Sequence, residues 1–211
     1  MTPAPATTAQ AASPPPPRHL PFRVVAIGAS AGGLPAIQVI LSQLPGDFPV
    51  PILIVQHLAA AHPSLMAELL GAHTPLRVRW AEVGDKLEAG TAYIASPGLH
   101  LTVDGDGVLA LPDTDKVRSC RPSADVLFNS VALSFGPRAI CVVLTGTGFD
   151  GGDGAGAMQR AGGSVIAQDQ ATSTFFSMPH AAILATTFAT VLPIRQIAPA
   201  LVALATKGAL S

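Results

Sequence analysis

Charged side chains are scarce in this chain: Asp, Glu, Lys and Arg make up 12% of its 211 residues, against 49% hydrophobic ones. A sequence so poor in charge and so rich in apolar surface is predicted to fold compactly rather than stay disordered. Its length suits one α/β domain of ordinary size with a buried core. A net charge of −1 exerts no broad pull on nucleic acid or on an anionic membrane, so neither is expected as a partner, and any partner must be recognised by a site. Long apolar runs are missing as well. Stretches such as Val50 to Val55 and Ala139 to Leu144 fall far short of the ~20 residues of a membrane span, and no membrane insertion is expected. Cysteine is limited to Cys120 and Cys141, with no C-x-x-C pair and no His-rich cluster, which reads as reduced thiols of a cytoplasmic protein. The first twenty residues hold no acidic group and end near the run Pro14 to Pro17. They lack the apolar stretch of a secretory signal. Residues 1–21 are therefore predicted to be a disordered or polyproline-like tail, ahead of a single domain over 22–207.

From Arg23 onward, short apolar runs alternate with helical patterns. That alternation predicts a doubly wound α/β fold, a mainly parallel sheet with helices on both faces. Val24 to Ile27 reads as a buried strand, Gly28 to Gly33 as a tight turn, and Leu34 to Leu44 as a helix with Ile37, Ile40, Leu41 and Leu44 on one face. A second strand, Pro51 to Val55, ends at Gln56-His57 and precedes a helix over Leu65 to Leu70. Between Val78 and Leu111 the pieces are shorter, and Asp104-Gly105-Asp106-Gly107 reads as a hairpin turn, so a short antiparallel excursion is expected there, with little chemistry. Ser123 caps a predicted helix reaching about Phe135. Strand Ala139 to Leu144, a turn over Thr145 to Gly152 and a helix to Ala161 follow, then a strand at Val165 to Ala167 and a helix from about Ile197 to Ala205. No internal repeat is present.

Ligands of open parallel sheets bind beyond the carboxyl ends of the strands, which directs attention to three turns. The first, Gly28-Ala29-Ser30-Ala31-Gly32-Gly33, carries G-x-S-x-G between a strand and a helix. Small neighbours allow a sharp turn that exposes the Ser30 hydroxyl, and the Ala31 N–H becomes a natural oxyanion donor. The plain alternative is a glycine-rich turn in a Gly/Ala-rich chain. The second turn holds His57, a candidate base, though a lone histidine is more often a structural hydrogen-bonder. The third runs from Thr145 to Gly154 and contains Thr147 and Asp150. Its Gly146, Gly148 and Gly151 also satisfy G-x-G-x-x-G, with Asp169 after the next strand, so dinucleotide binding is the rival reading. Against that rival, Asp150 inside the turn would face a pyrophosphate, and such a fingerprint normally opens the first βα unit. Asp150 taken alone reads as an Asp-Gly turn or a helix cap. Together the three turns supply nucleophile, base and carboxylate, the inventory for acyl transfer. His62, His73, His100 and His180 lack comparable placement and metal-ligand spacing, so no metal and no cofactor are expected.

These residues resemble a known family, the catalytic domain of chemotaxis receptor methylesterases of the CheB type. The matching pieces are Ile27 to Gly33, Val55-Gln56-His57, Tyr93-Ile94-Ala95, Arg121 to Phe128, and Leu144 to Gly151. The resemblance implies Ser30 as nucleophile, His57 as base, Asp150 as third member, and the backbone of Ala31 and Thr147 as donors. It further implies hydrolysis of methyl esters on glutamate side chains of the helical cytoplasmic region of chemoreceptors, and glutamine deamidation in many members. Ala31 stands where the family usually has Thr, Thr147 where it has Met, and Ser177-Met178-Pro179 where it has Gly-Met-Pro. With those departures a catalytically weak receptor-binding adaptor is the second rival. Family members commonly carry an N-terminal receiver domain, and this sequence has a Pro-rich stretch in its place. A stand-alone catalytic domain is therefore expected, with a separate receiver-domain partner left open.

Overall fold

The computed structural model describes residues 24–57 and 65–207. The stretch expected to be a tail, and His62, fall outside them. Seven strands form one sheet in the order β3-β4-β2-β1-β7-β8-β9. They are β1 (Val24–Ala29), β2 (Ile52–Gln56), β3 (Arg77–Trp80), β4 (Thr91–Ile94), β7 (Ala139–Val143), β8 (Ser164–Gln168) and β9 (Thr190–Leu192). Every pairing in this sheet is parallel. β1, β2 and β7 are buried along their whole length, which is why they read as unbroken Val/Ile/Leu runs rather than as alternating patterns.

Helices cover both faces. On one, α1 (Gly33–Leu41), α2 (Met66–Gly71) and α6 (Ile194–Lys207) pack Ile37, Leu70 and Leu201 against Val25, Ile27 and Ile54. On the other, α3 (Ala124–Phe135), α4 (Gly152–Arg160) and α5 (Ser177–Leu184) pack Phe128, Met158 and Met178 against Ala26, Val55 and Val143. The expected doubly wound fold is present. The antiparallel excursion is smaller than expected: among the described strands, β5 (Thr102–Val103) and β6 (Leu109–Ala110) are the ones that pair that way, with a further isolated bridge between Lys86 and Val108 beside them. β3 and β4 instead extend the main sheet in parallel.

From β1 the chain builds the β2 side of the sheet, then returns through α3 to β7 on the other side of β1. The ends of β1 and β7 are thus a topological switch point, where a parallel sheet opens a crevice. Gly28 lets α3 approach that point. A Cβ there would lie 2.7 Å from Ala124 Cβ and 3.0 Å from Phe128 Cζ, closer than packed carbons tolerate. The N-terminus of α3 consequently reaches the carboxyl end of β1, bringing its positive dipole end with it.

Candidate active site

β1 and β2 are in register at Ala29 and Gln56, so the following residues, Ser30 and His57, are neighbours on adjacent strand ends. Val24 and Ala26 of β1 and Leu53 and Val55 of β2 pack in the α3 layer, and the two-residue period directs Ser30 and His57 to that same face. Gln56, 5% exposed, clamps the pair: its side-chain amide donates to the Ser30 carbonyl at 2.8 Å and the His57 carbonyl at 3.1 Å. The Ser30 N–H donates to Thr145 O at 3.0 Å, and the Thr145 hydroxyl donates to Ala31 O at 3.0 Å. Gly146 is required by closeness, because a Cβ there would sit 2.8 Å from Ser30 Cβ and 2.2 Å from Met178 Sδ. Neither the Ala31 nor the Thr147 N–H donates to another described residue.

Asp150 is 2% exposed and its Oδ2 lies 2.7 Å from His57 Nε2. The same carboxylate receives the Ser123 hydroxyl (2.7 Å) and the backbone N–H groups of Ala124 (2.6 Å) and Asp125 (3.0 Å). Burial alone would raise this carboxyl, but the bonds from His57, Ser123, Asp125 and Ala124 outweigh it and hold Asp150 below the usual carboxylate range. An ionised carboxylate only accepts, so Nε2 carries the ring proton and Nδ1 presents the lone pair. Nδ1 is the nitrogen free to act as base, the reverse of the usual serine-protease orientation. The Ser30 hydroxyl makes no hydrogen bond to His57 in this structure, a common condition before substrate is bound.

The third turn therefore combines two of the readings set out above. Asp150 is a helix cap, but of α3 rather than of its own helix α4, and it is also the histidine's partner. Asp169, the acidic residue of the dinucleotide rival, accepts from the N–H of Thr172 at 3.0 Å and so closes a local turn.

Four contributors went unread in the sequence, since their partners are remote in the chain. His100, fully buried, accepts the Ser123 N–H at 3.2 Å through Nδ1 and supports the segment under Asp150. Asp125 Oδ1 accepts the N–H groups of Gly151 (2.9 Å) and Gly154 (2.8 Å), fixing the turn that carries Asp150. Arg118 pairs with Asp125 and Asp153. Cys120 Sγ lies 3.8 Å from His57 Nδ1. Burial pushes its thiol pKa up, with the carboxylates of Asp150 and Asp125 adding to the rise. Cys120 is accordingly a neutral thiol at neutral pH, with little of the thiolate that nucleophilic attack requires.

Burial pushes the Asp125 carboxyl up to about 6, against the opposing bond from Gly154 and with the charges of Asp150 and Asp153 adding to the rise. A carboxyl whose folded pKa is raised contributes stability that is full below its ordinary value near ~4 and is lost as pH climbs through the folded value. Asp125→Asn keeps an oxygen for Gly151 and Gly154 and removes the titration. Denaturant unfolding between pH 4 and 7 should therefore show the wild type losing roughly 2 to 3 kcal/mol more than the variant. Identical pH profiles would mean that Asp125 stays ionised throughout.

What the fold and this site define is a class: a parallel α/β protein whose switch point brings a serine turn, a histidine and a buried carboxylate together. Within that class the chain belongs to the CheB methylesterase family, whose pattern matches residues 25–201. It is 42% identical over 191 residues to a protein-glutamate methylesterase/protein-glutamine glutaminase of Rhizobium meliloti, covering 90% of this chain and 54% of that one. A Burkholderia orbicola protein of the same name is 45% identical over 192 residues, covering 89% of this chain and 57% of that one. The crystal structure of the Thermotoga maritima CheB methylesterase catalytic domain superposes with a TM-score of 0.82 at 34% identity, covering 86% of this chain and 98% of that one. The chain spans about half the length of the curated relatives it matches.

Proposed function

We propose that this chain hydrolyses γ-glutamyl methyl esters on the helical cytoplasmic region of chemoreceptors, acting in the cytoplasm through an acyl-enzyme on Ser30. The observation that carries the reading is the 2.7 Å bond from His57 to Asp150, held one strand away from the serine turn. Ser30 Oγ attacks the ester carbonyl while His57 Nδ1 takes its proton, and Asp150 offsets the charge of the resulting imidazolium. The N–H groups of Ala31 and Thr147 receive the developing oxyanion. The imidazolium returns the proton to the departing methoxide, methanol leaves, and water resolves the acyl-enzyme by the same steps in reverse. A glutamine side chain would release ammonia by the same route, and the relatives' names include that glutaminase activity.

The test follows methanol and ammonia from methylated and glutamine-bearing receptor, with a serine-directed phosphonate probe in parallel. Methanol release together with labelling of Ser30 is the expected result. A folded protein that binds receptor yet releases neither product and takes no label would establish the adaptor reading instead.

A further inference from the structure

Cys120 is brought to His57 by a feature that costs conformational energy. Val117 and Cys120 bridge each other through N–H···O bonds of 3.1 and 2.8 Å. The two residues between them, Arg118 and Ser119, both take left-handed backbone angles, with φ of 49° and 65°. A side-chain-bearing residue in that region is strained by about 1 to 2 kcal/mol, and such strain persists only where its surroundings enforce it. Here the Arg118 side chain is anchored on Asp125 and Asp153. The hairpin aims a thiol at the one ring nitrogen of His57 that Asp150 leaves free.

From this arrangement we propose that His57 Nδ1 and Cys120 Sγ form an inhibitory site for a borderline-soft divalent cation of the zinc type. Bonds of about 2.0 Å to nitrogen and 2.3 Å to sulfur at a tetrahedral angle separate the two ligand atoms by roughly 3.6 Å, and the observed separation is 3.8 Å. Ligand atoms of His57, Cys120 and Asp150 all lie within 4.8 Å of one another. Asp150 stands behind the imidazole as the carboxylate that fixes a metal-bound histidine through its other nitrogen. It also supplies negative charge next to the cation. Binding releases the Cys120 thiol proton to solvent and leaves a thiolate–metal bond, with water in the remaining positions. An imidazole and a thiolate select zinc, cobalt or cadmium over magnesium and calcium. A cation on Nδ1 occupies the lone pair that would accept the Ser30 proton, so hydrolysis stops while it is bound.

This inference rests on the proposed hydrolytic reading for its consequence but not for its test. The chelator-stripped full chain is titrated with cobalt(II) and the near-ultraviolet thiolate-to-cobalt absorption is recorded. In parallel, methyl ester hydrolysis is followed against zinc, each protein being compared with its own metal-free rate. The wild type should develop the absorption band and lose at least about 90% of its turnover, with recovery on adding chelator and no effect of magnesium. Cys120→Ser should lose the band and need at least about tenfold more zinc for half inhibition. Cys141 is fully buried in β7, so a band that survives in Cys120→Ser, or one absent from the wild type, overturns the site. A band in a wild-type protein that never hydrolyses ester would uphold the site and remove the hydrolytic reading instead.

Discussion

Ser30→Ala is expected to abolish ester hydrolysis, by up to roughly a millionfold in turnover, without disturbing the fold. The two halves of that expectation have separate causes. Turnover falls because the acyl group has nowhere to bond, and His57 and Asp150 cannot compensate for an absent nucleophile. Stability holds because only one half-buried hydroxyl is lost, and it makes no hydrogen bond to any described residue. A change of this kind is worth within about 0.5 kcal/mol, so the melting temperature should move by no more than about 2 °C. The measurement is methanol release beside a thermal melt. Substantial turnover in a variant with an unchanged melt would remove Ser30 from the chemistry.

Asp150→Asn differs because the carboxylate has two tasks. With its charge gone, the imidazolium formed in the reaction loses its counter-charge and the ring loses its fixed tautomer. A loss of about 10⁴ in turnover is the precedent for such a change in a serine protease. Stability should fall as well. Oδ1 accepts the Asp125 N–H and Oδ2 the Ala124 N–H, so whichever way the asparagine amide turns, an NH₂ group faces a backbone donor. A buried mismatch of that kind costs about 1 to 3 kcal/mol. The pH dependence has a definite sign. Because the Asp150 carboxyl is held below its usual range, its contribution is present above the ordinary carboxylate pKa and lost as pH falls through the lowered one. The stability gap between wild type and Asp150→Asn should therefore close in acid. Wild-type turnover in a destabilised variant would reduce Asp150 to a cap of α3.

The β1–α1 unit and the three strand-end turns were legible because their signals are local: apolar runs that stop abruptly at polar residues, in Gly-rich turns after β1 and β7 and at Gln56-His57 after β2. The strands β3 and β4 were not. Parallel neighbours are usually joined through a helix, whereas residues 81–90 connect these two without one, so the short pieces resembled hairpins. Helix α5 went unread for a different reason: Pro179 falls in its first turn, and its sequence has no clear apolar stripe. The place of Cys120 had no signal at all. It lies 63 positions from His57 and is delivered by a strained hairpin whose anchors, Asp125 and Asp153, belong to other elements. Ser123 was read as a helix cap and is one, its hydroxyl accepting the Val126 N–H at 3.4 Å. Its second bond, to Asp150, follows from the fold and from nothing near it in the chain.

The shared carboxylate has a consequence for cooperativity. The first amides of α3, those of Ala124 and Asp125, close onto the same group that aligns His57. Fraying of that helix end and misalignment of the imidazole are thus one local opening event rather than two, with a single free energy. Hydrogen–deuterium exchange at Ala124 and Asp125 becomes a meter of site assembly that needs no substrate. Solvent conditions or distant substitutions that speed exchange at those two amides would dim the activity in proportion to the population they open.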